Sequence, residues 1–139
     1  ENSTVISRTF INLRSDYGST WQGEFVIRDC VFVPTGIASG NVSLIGGHNS
    51  GQHDFGYTCH MPARITIDGL RIEDTDHPAQ YAGAAIFSNF NRERTDDTHM
   101  EKYPYILTKE VILENITTSS GKPLKISDNL FMFKDVTIH

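Results

Sequence analysis

Four eight-residue segments of this chain repeat one pattern, and that repetition limits the fold more than any other feature. They are 25–32 (FVIRDCVF), 65–72 (ITIDGLRI), 111–118 (VILENITT) and 131–138 (FMFKDVTI). Each reads apolar, any, apolar, charged, then Asp, Gly or Asn, then apolar, any, and apolar or Thr. A fainter copy spans 7–12, with Thr9 in the central slot. The slot residues Thr9, Asp29, Gly69, Asn115 and Asp135 are spaced by 20, 40, 46 and 20 positions. These are near one or two multiples of a unit of about 20 residues, a repeat length typical of stacked architectures.

Within each unit the apolar residues alternate, which predicts a half-buried strand. Asp, Asn and Gly tolerate a left-handed backbone and punctuate strands. Each unit therefore reads as a short strand, a tight bend and a second short strand. The register predicts four inward stacks. Phe25, Ile65, Val111 and Phe131 form the first, and Ile27, Ile67, Leu113 and Phe133 the second. Past the bend come Cys30, Leu70, Ile116 and Val136, then Phe32, Ile72, Thr118 and Ile138. Val26, Ile112 and Met132 fall on the outward side, with Thr66 between the first two. They mark either a protein contact surface or ordinary β-branched strand propensity. The best helical stretch is 96–109, and Pro104 interrupts it.

With 139 residues there is room for a single domain over 1–139. The balance of 12 Lys and Arg against 17 Asp and Glu argues against nucleic acid as a partner. No apolar run approaches the roughly 20 residues of a membrane span. Two cysteines cannot build a disulfide-dense scaffold or a four-cysteine zinc site.

Carried by these four units, the chain resembles the right-handed parallel β-helix superfamily, which includes pectate lyases and polygalacturonases. The resemblance implies three strands per coil, with Asn frequent at the tight bend between the second and third. Asn115, Asp29 and Asp135 match that bend. The missing first strands are expected at 42–45, 84–87 and 124–127, with 18–21 a weaker candidate. The expected fold is all-β, a right-handed single-stranded parallel β-helix of about five or six coils with two long loops at one corner. Alternating strands with turn residues also suit a β-sandwich or jelly roll. The last unit stops at His139, directly after its strand. The expectation is a piece of a longer protein, or an end covered by another chain.

Two insertions, 46–64 and 88–110, follow the expected first strands, so they should emerge at the same corner and pack together. In the resembled enzymes the substrate lies along the first-strand face beside such loops. The first insertion holds His48, Asn49, His53, Asp54, Tyr57 and His60. His and carboxylate suit metal ligation or acid/base chemistry, although no recognised ligand spacing occurs and loop His also serve as polar surface. The second holds Asn91, Arg92, Arg94, Asp96 and Asp97. Its arginines suit a uronate carboxylate, its aspartates calcium or acid/base work, and the whole also reads as a self-neutralising charged loop.

Cleavage of a uronate polymer by elimination needs a cation, a base and an acid. His48, His53, Arg92 and Lys125 are the candidate catalytic residues, Lys125 because it alternates with Leu124 and Ile126. Asn49, Asn91, Arg94 and Tyr57 are candidates for substrate binding, and Asp54, Asp96 and Asp97 for metal, calcium first. The polygalacturonase pattern departs here: Asp96-Asp97 follows Gly47-His48-Asn49, no Asn-Thr-Asp occurs, and no catalytic residue carries over. Trp21 and Tyr57 suit either stacking on sugar or packing. A Cys30–Cys59 bridge is disfavoured by the inward side chain of Cys30. Two functions follow: a secreted or cell-surface protein that binds or cleaves polysaccharide, or a non-catalytic rod such as an adhesin or phage tail-spike segment.

Overall fold

The computed structural model describes residues 1–14, 18–48, 55–88, 105–126 and 136–139. The described strands are β1 (Thr4–Ser7), β2 (Thr9–Arg14), β3 (Glu24–Pro34), β4 (Ser43–His48) and β5 (Cys59–His60). They continue with β6 (Arg64–Ile72), β7 (Ala85–Phe87), β8 (Tyr105–Ile106), β9 (Glu110–Thr118) and β10 (Thr137–Ile138). One 3₁₀ turn, Ile37–Ser39, is the only helical element among the described residues, and none is long and apolar enough to cross a membrane.

Every pairing among the described strands is parallel. A first sheet runs β1-β3-β6-β9-β10, a second β2-β4-β7, and a third pairs β5 with β8. The chain alternates between the first and second sheets and moves one strand along each time. A sandwich or jelly roll built from antiparallel hairpins does not fit this pairing. Strand patterns 40 and 46 positions apart are immediate neighbours, so those intervals are single repeats with long connections.

The predicted stacks hold across β3, β6 and β9. Phe25, Ile65 and Val111 share a row, as do Ile27, Ile67 and Leu113, Cys30, Leu70 and Ile116, and Phe32, Ile72 and Thr118. Ile65, Ile67, Phe32 and Ile72 are fully buried. Midway along these strands Asp29 and Asn115 adopt φ of 52° and Gly69 of 75°. This left-handed bend lets one long strand turn a corner without losing its register. At 69, where φ is 75°, any side chain is strained, and a Cβ would also press on Asp29 Oδ1 at 2.7 Å.

Two repeat assignments need correction. The bend residue before Asp29 is Asn2, also at φ 52°, and not Thr9. β1 pairs with the second half of β3, Thr4 opposite Val31, and Asn2 N–H donates to Arg28 O at 3.1 Å. Thr9 instead opens β2, which supplies the strand sought at 18–21. At the other end, Ile138 stands opposite Val111, where the pattern predicts Phe131, and not opposite Thr118. His139 secures that register: its N–H donates to Val111 O at 2.9 Å and its Nε2 meets Glu110 Oε1 at 3.0 Å. Residues 131–135, with Met132, lie outside the described set.

The expected strands at 42–45 and 84–87 are β4 and β7, and Lys125 continues their sheet through a bridge to Ala85. Six successive residues, from Val42 to Gly47, are buried in and beside β4. Neighbouring side chains of a strand point to opposite faces, so both faces of this sheet are covered there.

Candidate functional site

The corner between the second and first sheets is set by register. Thr20 bridges His60, and His60 pairs with Ile106. The offsets of 40 and 46 are the same as those within the long strands. The corner and the strands after it are thus one continuous ladder, and the extra residues of each insertion lie before Cys59 and Tyr105. Backbone bonds hold the ladder: His60 N–H to Ser19 O at 2.7 Å, Met61 N–H to Ile106 O at 2.8 Å, and Ala63 N–H to Gly23 O at 2.9 Å. The described ends of the two insertions pair through β5 and β8, and most of their extra residues lie outside the described set.

Aromatic side chains crowd this corner. Trp21 and Tyr57 are each 49% exposed and Phe55 38%. The Tyr57 hydroxyl donates to Gly18 O at 3.0 Å, and its ring centre lies 6.1 Å from that of Phe55. Trp21 stacks on Phe25 at 4.8 Å and donates from Nε1 to Glu24 O. Each ring is fixed by its own hydrogen bond or by an aromatic neighbour while one side stays open to solvent. Such rings suit the apolar face of a sugar ring.

Of the candidate residues, Tyr57 stands in this cluster. Lys125 is exposed on the second sheet, its N–H donating to Ala84 O and its carbonyl accepting from Ile86. Leu124 beside it packs on the core, but Ile126 is 53% exposed, so the alternation predicted there stops after one residue. The backbone of His48 pairs with Arg14, five positions along β4 from the row of Lys125 and two strands away. At about 3.3 Å per residue and 4.8 Å per strand their backbones lie roughly 20 Å apart. Asn49, His53, Asp54, Asn91, Arg92, Arg94, Asp96 and Asp97 lie outside the described residues. Among the described residues no group of three His, Cys, Asp or Glu is placed to hold a metal ion. Cys30 and Cys59 are both buried and both free thiols.

The outward face of the first sheet carries a charged ladder. Glu24, Arg64 and Glu110 are in register, and Arg64 holds the carboxyl of Glu110 below the usual range through their hydrogen bond. Val26, Thr66 and Ile112 form the next row and are half-buried, flanked by Arg28, Asp68 and Glu114. The long charged side chains beside this stripe can cover it.

A polar centre not foreseen from sequence lies at the opposite corner. Asp74 is fully buried. It accepts from Tyr81 Oη at 2.7 Å, Ser120 N at 2.9 Å, Ser120 Oγ at 2.8 Å and Ser119 Oγ at 3.3 Å. Burial pushes its pKa up, but the four donors outweigh burial and leave it below the ordinary carboxylate value. With every donor satisfied, this centre ties the turn after β6 to the turn after β9. No protein-family model, curated protein or solved structure matches the chain.

Proposed function

We propose that this chain is a right-handed parallel β-helix of the superfamily that includes pectate lyases and polygalacturonases, secreted or at the cell surface, and that it binds a polysaccharide. Support for the fold comes from the all-parallel pairing and the alternation between two sheets, with right-handed crossovers the rule for parallel strands. The function rests on one observation: Trp21, Phe55 and Tyr57 are exposed beside the corner that the Thr20–His60 bridge holds. A long polymer needs a surface of this kind, with rings fixed in advance so that little entropy is lost on binding.

A non-catalytic module, adhesin-like or tail-spike-like, is the second reading. The burial of both faces at β4 favours it, because that strand has no open face for a substrate.

The test is a panel of neutral and uronic polysaccharides, each with and without calcium. Retention on immobilised polymer, unsaturated-product absorbance and new reducing ends are followed together. Retention that falls in Trp21→Ala and Tyr57→Ala supports the binding reading. Rising absorbance would make the protein a lyase and direct mutagenesis to Lys125, Arg92 and His48. Folded protein that neither binds nor cleaves any polymer refutes the proposal.

A further inference from the structure

Three Asn-X-Ser/Thr triplets begin at Asn2, Asn41 and Asn115. Asn2 and Asn115 are bend residues of the first sheet, both at φ 52°. Asn115 Nδ2 donates to Asp68 Oδ1 at 2.7 Å, so a group bonded to that nitrogen competes with a contact that secures the bend. Asn41 is placed differently. It leads from the 3₁₀ turn into β4, is exposed, and enters no side-chain hydrogen bond among the described residues. Its backbone is closely packed: a Cβ on Gly36 would lie 2.6 Å from Asn41 O. The next two residues, Val42 and Ser43, are 3% and 8% exposed. Ser43 stands opposite Ala85, and by the same offset Gly83 lies level with Asn41. The neighbouring coil therefore sets no side chain against it.

From this placement we infer that Asn41 is an N-glycosylation site, an inference that rests on the secreted or cell-surface reading. The donor is a lipid-linked oligosaccharide diphosphate, supplied with its transferase in a eukaryotic secretory pathway. Asn41 Nδ2 bonds to the anomeric carbon of the first sugar and gives up one proton. The C–O bond to the diphosphate breaks, and the diphosphate leaves with the electron pair. The transferase also reads the hydroxyl of the third residue, here Ser43 Oγ. In the folded chain that hydroxyl meets Thr9 Oγ1 at 3.3 Å within the second sheet. Transfer therefore precedes the pairing of β2 with β4. Folding then buries Val42 and Ser43 and leaves the glycan outside, at no cost in buried contacts.

The test uses the full chain behind a cleavable secretory leader in cultured eukaryotic cells. Thr4→Ala, at an exposed position, silences the first triplet throughout. Protein from the medium, shown to be folded by circular dichroism, is mapped by peptide mass before and after peptide N-glycosidase, which leaves Asp wherever a glycan stood. Most molecules should carry one glycan at Asn41, and Asn41→Gln should lose it entirely. Thr117→Ala silences the third triplet from an exposed position, keeps Asn115 in its bend, and should leave the glycan at Asn41 unchanged. Folded protein bare at Asn41, or glycosylated only at Asn115, overturns the inference. The natural protein separates the two readings. Found outside its cells but bare at Asn41, it overturns this inference alone. Found only inside them, it overturns the secreted reading and this inference together.

Discussion

Replacing Asp74 should expose how much of the fold hangs on one buried carboxylate. Four donors converge on it, and two of them, Tyr81 Oη and Ser120 N–H, cannot simply rotate away. Hydrogen bonds to a charged group contribute about 1.5–3 kcal/mol each, and the charge recovers part of that sum when it returns to water. Asp74→Ala should therefore cost about 2–4 kcal/mol at pH 7, and Asp74→Asn about 1–2 kcal/mol, since it keeps one acceptor oxygen. Tyr81→Phe removes a single donor and should cost about 1–2 kcal/mol. Because the two groups share one bond, the double variant should deviate from additivity by at least about 0.5 kcal/mol. The sign with pH is fixed. A carboxyl whose pKa is depressed on folding contributes fully above its unfolded value of about 3.9, and the contribution fades as pH falls through the lower folded value. Urea titrations from pH 7 to pH 2.5 would measure all of this. Wild type should lose more stability than Asp74→Asn below about pH 4. Parallel pH curves for the two proteins, or strict additivity with Tyr81→Phe, would refute the reasoning.

Four further outcomes are expected. Gly83→Ala should cost about 3 kcal/mol or prevent folding, because φ is 116° and a Cβ would lie 2.3 Å from Pro123 O. Gly121→Ala, at φ 71° with nothing within 4 Å, should cost only about 1–2 kcal/mol in the same thermal or urea melts. Asn115→Ala should lose about 1–2 kcal/mol in urea titration, from the left-handed bend and the 2.7 Å bond to Asp68, with Asn115→Gly less affected. Ile67→Ala, fully buried in the middle of the first sheet, should cost about 2–5 kcal/mol in calorimetry or urea titration, against less than about 0.5 for the exposed Ile6→Ala.

The rows of the first sheet were legible because their signal is dense. Phe25, Ile65 and Val111 repeat an apolar alternation around a bend residue of restricted type, so period and punctuation agree. Asn2 was not found for the opposite reason. β1 has four residues and its pattern is too short to compete with the better alternation at 7–12. The copy at 131–138 matches the pattern in composition, but the side-chain contact with Glu110 and the backbone bonds of His139 hold Ile138 opposite Val111, and no residue pattern encodes those contacts. Asp74 was invisible because its partners lie 7, 45 and 46 positions away, and a lone Asp beside a turn has many ordinary uses. For Trp21 the residue type is a visible signal, but its place in the row of Met61 follows only from the bridge between Thr20 and His60.

The unbroken offsets from the corner into the long strands separate two kinds of change. Whatever length of chain is spent between His48 and Cys59, or between Phe87 and Tyr105, the ladder resumes at the same rung. Doubling a flexible connection costs only about 0.6 kcal/mol in closure entropy. A lineage can therefore lengthen, shorten or rewrite these two stretches while Ile65 and Ile67 keep the same neighbours. The framework is insulated from its own variation, and the sequence of these stretches can drift faster than the fold that carries them.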